Sequence, residues 1–248
     1  MRRHYDASMQ LAPGLHRIGN DIVACYVVVT EAGLTLVDAG VSGQWSDLKA
    51  ELESMGRSVG DVRGVILTHG DTDHVGFAER LRRDHRVPVF AHSADAPRAR
   101  GEVRKSNASA GPMKIGPLLQ FLWYAGRKGG LRTTWMSEVE TITDGVTLDL
   151  PGSPRIIHVP GHTPGSIAVH VQAVDAVFVG DAMTTGHVLT GAVGPQPAPF
   201  TLEPAKAMES LAKLEHLGVT WVLPGHGPPW KGGVADAVRL VRAAASAR

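Results

Sequence analysis

Four metal-competent side chains fall within six residues in His69-Gly70-Asp71-Thr72-Asp73-His74, directly after the apolar run Val65-Ile66-Leu67. Imidazole nitrogens and carboxylate oxygens at that density are a ligand set for a divalent cation. They converge only if the chain turns tightly at the end of a buried strand, and Gly70 and Gly76 permit such a turn. Three later segments repeat the arrangement: Gly161-His162-Thr163-Pro164-Gly165, Val179-Gly180-Asp181 and Pro224-Gly225-His226-Gly227. Each puts one more His or Asp on a Gly-flanked loop after an apolar strand. A lone histidine carries little weight, but four such segments in order point to a metal centre built from loops.

The elements that must position these loops read as strands feeding helices. Short apolar runs at 14–18, 22–29 and 34–38 are broken by Gly19-Asn20-Asp21 and Glu31-Ala32-Gly33. Residues 44–55 have helical spacing, with Trp45, Leu48, Leu52 and Met55 on one face. A strand at 62–67 leads into the metal loop, a helix at 75–83 leaves it, and 87–91 is the next strand. The second part resumes near Val139, with strands at 155–159, 167–171 and 176–179. A helix is expected over 203–217, with Met208, Leu211 and Leu214 as its buried face, then a strand at 221–223. Val234, Val238 and Val241 at i, i+4 and i+7 mark a closing helix over 234–245. This alternation in both halves implies sheets covered by helices. The Pro-rich residues 194–199 are expected to form a stiff loop without regular structure, and to wall a pocket.

Residues 93–137 differ from both halves. They are rich in Gly, Lys and Arg and carry the apolar patch Leu118-Leu119-Gln120-Phe121-Leu122-Trp123-Tyr124. Three readings are open: a helical insertion packed on the core, a lid or pocket wall, or a dimer contact. Lys105, Lys114, Arg127, Lys128 and Arg132 either solvate this surface or take a carboxylate or phosphate of a small substrate.

At 248 residues, 43% hydrophobic and 20% charged, the chain can bury a substantial core, and a single domain over 1–248 is expected. The net charge of +1 gives no global pull toward nucleic acid or acidic membranes, and 5% aromatics make a base-stacking surface improbable. Cys25 is the only cysteine, which excludes an internal disulfide and a CxxC motif; it reads as a core residue. The first residues are basic but hold no apolar stretch long enough for a signal peptide, and no apolar run is long enough to span a bilayer. A cytoplasmic protein with a small-molecule substrate is expected, without nucleic-acid or membrane partners. The 118–124 patch offers a homodimer contact.

As an ordered set, the motifs resemble the metallo-β-lactamase superfamily over nearly the whole chain. That family's signature is His-x-His-x-Asp-His, followed by a single His, a single Asp and a final His, each on a loop. Here these correspond to residues 69–74, His162, Asp181 and His226, and Leu36-Val37-Asp38-Ala39-Gly40 resembles an early family motif. The resemblance implies an α/β fold, a four-layer αββα sandwich with the metals at one edge. It also implies one metal on His69, Asp71 and His162, a second on Asp73, His74 and His226, and Asp181 between them. Asp38 would be a hydrogen-bond partner behind the ligands. One position departs from the pattern: Asp71 stands where the family has its second His. A carboxylate oxygen lies as many bonds from its Cα as an imidazole Nδ1, so the replacement keeps the reach and changes the charge.

The chemistry so implied is hydrolysis by a metal-bound hydroxide at a dinuclear centre, with Asp73 orienting the nucleophile and shuttling a proton. Two divalent ions are expected, Zn²⁺ first on the ligand types, with Mn²⁺ or Fe²⁺ also admitted by the extra carboxylate of Asp71. His69, His162 and Asp71 also form the two-histidine, one-carboxylate set of non-haem iron oxygenases, which keeps an oxidoreductase reading open. A small ester, lactone or thioester is the first substrate choice, ahead of a β-lactam or a phosphodiester. Phe121, Trp123, Tyr124 and His187 are candidate pocket residues. His158 reads as a strand residue, and His4, His16, His85, His92, His170 and His216 as surface or packing residues.

Overall fold

A computed structural model describes residues 8–103, 108–130 and 132–247; His4 and Lys105 lie outside the described residues. The first sheet has seven strands in chain order: β1 (Met9–Ala12), β2 (Leu15–Gly19), β3 (Ala24–Thr30), β4 (Gly33–Val37), β5 (Val62–Ile66), β6 (Val89–His92) and β7 (Glu140–Ile142). Pairing is antiparallel through β4 and parallel from β4 to β7. Helices α1 (Trp45–Ser54) and α2 (Ala78–His85) are the connections that parallel pairing requires. The second sheet contains β8 (Arg155–His158), β9 (Ile167–Val171), β10 (Ala176–Gly180) and β13 (Trp221–Pro224), in the order β13-β10-β9-β8.

Side chains alternate across a strand, so each sheet feeds two cores. In β3, Cys25 and Val27 join Trp45, Leu48 and Leu81 of the helices on one side, while Ala24, Tyr26 and Val28 face the other sheet. In β10, Ala176 and Phe178 meet them there, and Val177 and Val179 point outward to Leu211, Val238 and Val241. Three apolar layers between helix, sheet, sheet and helix give the αββα sandwich. The helices of the last layer are α5 (Pro204–Ser210) and α6 (Val234–Ser246).

Several boundaries differ from the sequence expectations. The run at 22–29 becomes a strand only from Ala24. The expected helix at 75–83 starts at Ala78, because Gly76 lies against Gly40 and Val41 with no room for a Cβ. The expected helix at 203–217 stops at Ser210 and tightens to a 3₁₀ turn over Leu211–Lys213. Three residues per turn stack Leu211 and Leu214, both fully buried, on one face. Part of the Pro-rich stretch is regular after all: β12 (Val193–Gln196) pairs with β11 (Thr184–Gly186) in an isolated ribbon. A ribbon strand has an unpaired edge, where Pro195 costs no ladder bond. Pro199 and Phe200 nevertheless wall the cavity.

The 93–137 segment contains α3 (Ala96–Ala99) and α4 (Ile115–Arg127). Its base is closed where the Met136 amide donates to the Ala99 carbonyl (3.1 Å), with Met136 buried. Among the described residues, no helix is long and apolar enough to cross a membrane.

Candidate metal centre

The loops after β4, β5, β8, β10 and β13 meet at one edge of the sandwich. Asp38, just past β4, takes a left-handed backbone (φ 63°), which turns its carboxylate back under the loop after β5. There it accepts from the Thr68 amide (2.7 Å), the Thr68 hydroxyl (2.8 Å) and His74 Nδ1 (2.8 Å). The Thr68 hydroxyl has spent its proton on Asp38, so it accepts from His69 Nδ1 at 3.1 Å. Thr201 Oγ1 donates to the Ala198 carbonyl (2.9 Å) and so accepts from His162 Nδ1 at 3.3 Å. His226 Nδ1 donates to the Ile22 carbonyl. All four imidazoles therefore spend Nδ1 on the protein, which fixes each ring and leaves Nε2 as the atom available to a ligand once it is unprotonated.

Those four Nε2 atoms point inward, onto three carboxylates. His69 and His162 Nε2 lie 3.7 and 3.6 Å from Asp71 Oδ2. His226 Nε2 lies 3.4 Å from Asp73 Oδ2 and 3.2 Å from Asp181 Oδ2. Asp181 also faces His74 Nε2 (3.6 Å) and His162 Nε2 (3.7 Å), which puts it between the groups. Ligand atoms of His69, Asp71 and His162 lie within 4.8 Å of one another, as do those of Asp73, His74 and His226, and of His69, His74 and Asp181.

Buried polar atoms are rarely left without partners. His69 Nε2, His74 Nε2 and Asp181 Oδ1 nonetheless have no hydrogen-bond partner among the described residues. Gly225 leaves the space they face clear, since a Cβ there would lie 2.5 Å from His74 and 2.7 Å from Asp181. Orphaned lone pairs converging on a cleared space fit a divalent cation.

Without an ion the cluster polarises itself. Burial acts to lower the His74 pKa, but Asp38 and Asp181 outweigh it and raise the value to about 10. Burial likewise opposes Asp181 and Asp73 at His226, which rises to about 9. His69 is pushed well below its ordinary value by burial, with His74 and His162 adding to the effect. Burial would raise Asp71 and Asp181, but their histidine neighbours win and both carboxyls are held well below the usual range.

Besides Thr68 and Thr201, three supporting residues escaped the sequence reading. Asp95, fully buried after β6, accepts from the Gly70 amide (2.8 Å), the Thr163 hydroxyl (2.9 Å) and the Gly165 amide (2.9 Å). It ties the 69–74 loop to the His162 loop, and its place at the end of a parallel strand was the available signal. Arg17 is buried in β2, donates to the Gly227 carbonyl (3.1 Å) and pairs with Asp21 (2.9 Å), which holds the His226 loop. A charge inside the apolar run 14–18 was legible there. Arg98 of α3 places Nε 3.4 Å from Asp71 Oδ1, the oxygen turned away from the imidazoles. Nothing in its local sequence marked that contact.

The cluster floors a cavity of about 300 Å³. Phe121, Tyr124, Val23, Val41, Val188 and Phe200 form much of its wall, and Arg98 is the fixed positive charge among its described lining residues. Two expected pocket residues do not line it. Trp123 lies on the outer face of α4, 64% exposed, because helical spacing turns it away from Phe121 and Tyr124. His187 is buried in the turn between β11 and β12, where its amide bonds the Ala192 carbonyl, and its neighbour Val188 reaches the cavity instead. Other histidines pack elsewhere: His16 on Glu51, His85 on Trp45, and His92 on His158. Burial pushes the Cys25 thiol up, as suits a core residue.

Two sheets between helix layers, with imidazoles and carboxylates converging at one edge, define a metallo-enzyme. The sequence profile of the metallo-β-lactamase superfamily matches residues 18–226, and the chain belongs to that superfamily as a metallo-hydrolase. It is 27% identical over 243 residues to the probable metallo-hydrolase YflN of Bacillus subtilis, covering 91% of this chain and 88% of that protein. In fold it resembles a metallo-β-lactamase family protein of Thermus thermophilus (TM-score 0.69, 24% identity, 96% of this chain and 81% of that one). It also resembles the subclass B3 metallo-β-lactamase BJP-1 of Bradyrhizobium japonicum (TM-score 0.68, 17% identity, 99% and 95%).

Proposed function

We propose that this chain hydrolyses a small ester, lactone or thioester at a dinuclear metal centre. The observation that carries the reading is the convergence of four Nε2 atoms and three carboxylates at the floor of a largely apolar cavity. His69, Asp71 and His162 would hold one ion, Asp73, His74 and His226 the other, with Asp181 between them. When bound, such a pair lowers the pKa of water toward neutrality and polarises a carbonyl oxygen. Zn²⁺ suits the imidazoles, and the third carboxylate extends the range to Mn²⁺ and Fe²⁺.

The chain's own residues do the rest. Asp38, Thr68, Thr201 and the Ile22 carbonyl fix the imidazoles, so no side chain must reorganise when charge develops. Asp73, half-buried at the cavity edge, orients the nucleophile and moves a proton to the leaving group. Arg98 holds Asp71 Oδ1 so that Oδ2 faces His69 and His162. The apolar walls accept an acyl or lactone chain and keep bulk water from the carbonyl.

Metal content and a substrate panel test the reading together. Protein purified without added metal should carry about two Zn²⁺ or Mn²⁺ per chain by plasma mass spectrometry, and should cleave members of a panel of lactones, aryl esters and thioesters. One iron per chain, with oxygen consumed in the presence of thiols and no hydrolysis, would replace it with an oxidoreductase built on His69, His162 and Asp71.

A further inference from the structure

Helix α4 is apolar over most of its surface, with Gln120 and Arg127 on a narrow polar arc, and its two apolar faces do different things. At about 100° per residue, Phe121, Tyr124 and Ala125 share the arc that lines the cavity. Ile115, Leu119, Leu122 and Trp123 share the opposite arc, 80%, 60%, 50% and 64% exposed. Met113, just before the helix, is exposed as well. Isolated exposed apolar residues are ordinary, but four on one helical stripe mark an interaction surface.

The helix cannot hide that stripe by rolling over. The Lys114 amide donates to the Leu189 carbonyl (2.8 Å) at one end. At the other, Gly43 donates to the Lys128 carbonyl (2.8 Å), Ser42 to the Gly129 carbonyl (3.0 Å), and Lys128 pairs with Asp47 (2.7 Å).

Charge selects the occupant. Between Glu102 and Glu138 the chain has six basic residues and no acidic one, although the whole chain is only +1. Lys114, Arg127 and Arg132 are exposed and form no ion pair among the described residues, and Arg127 lies over the Trp123 ring (5.5 Å). A second copy docking by two-fold symmetry would set this basic segment against itself. An anionic bilayer instead supplies both complements: headgroups for the cations and an acyl boundary for Ile115, Leu119, Leu122 and Trp123.

We infer that the outer face of α4 docks on an anionic lipid surface. The expectation of no membrane partner rested on the net charge of +1 and the lack of a spanning segment; a local basic segment and an interfacial helix need neither a global charge nor a span. The inference stands apart from the reaction assigned above.

Cosedimentation of the full chain tests it, with vesicles of phosphatidylcholine alone and of equimolar phosphatidylcholine and phosphatidylglycerol. The protein should pellet with the anionic vesicles only, less so at high salt, and brominated acyl chains should quench its tryptophan emission. Leu119→Ser/Leu122→Ser should weaken partitioning roughly tenfold or more while hydrolysis of a soluble substrate and the circular dichroism stay unchanged. Equal pelleting with both vesicles, no pelleting, or a double variant that binds like the parent would each overturn the inference. So would a dimer that the double variant dissociates, which would assign the face to a second copy.

Discussion

The back and the front of the metal centre are built differently. At the back, each imidazole is buried and bonded through Nδ1 to Asp38, Thr68, Thr201 or a backbone carbonyl. At the front, Asp71 and Asp73 are 29% and 25% exposed, and Arg98 is the charged neighbour on Asp71. Buried hydrogen bonds fix geometry because an alternative arrangement leaves polar atoms unpaired. Exposed carboxylates set charge and chemistry while conceding some freedom of position. The contrast teaches that Asp71, where this chain departs from the family motif, lies where a change disturbs the framework least.

Asp181 spans the two regions, so its loss should have the largest effect. Asp181→Ala should cut kcat/KM about 10³-fold or more and drop bound metal below one ion per chain. Two retained ions would show that it bridges nothing. Asp38→Ala tests the back alone: metal affinity should fall about 10–100-fold, as when partners behind metal ligands are removed. An unchanged affinity by chelator competition would mean that packing, not hydrogen bonding, orients His69 and His74. Arg98→Met tests the front. It should weaken only the ion on His69, Asp71 and His162, by about tenfold, and Asp71→His should make Arg98 dispensable for that ion. Additive effects in the two-residue cycle would sever the proposed link.

The smallest effect is a proton count. His74 and His226 are raised to about 10 and about 9 without metal, so both are protonated at pH 7 and must be neutral to bind an ion. Zn²⁺ titration in weak buffer should release about two protons per chain, and apparent affinity should rise with pH up to about 10, the value for His74. Release of none would show that the cluster holds these histidines neutral.

The strands, both sheets' cores and the ligand loops were legible because they rest on periodicity and on Gly-flanked His and Asp. The fold's departures arose where tertiary contacts overrode local pattern. Gly76 packs on Gly40, Leu211 and Leu214 need a three-residue turn, and Pro195 sits on a ribbon edge. Asp95 and Arg98 were not read because their partners are about 25 or more residues away in sequence. For Asp95 the local mark was only its place after a strand, since the amides it bonds lie in other loops. Trp123 and His187 failed as wall residues for the simplest reason, since adjacent residues of a helix or turn face different ways.

The clasp between Ala99 and Met136 separates the α4 part of the wall from the machinery. Asp95 and Arg98 precede it and hold the centre, whereas α4 hangs entirely beyond it. Helix α4 therefore belongs to a segment whose base closes at Ala99 and Met136 and which is fastened to the core again at Lys114, Lys128 and Gly129. Exchanging residues 100–135 for the matching stretch of a relative should shift substrate preference, within the limits set by Val23, Val41, Val188 and Phe200, and leave the reaction in place, which makes this clasp a natural splice point for recombination.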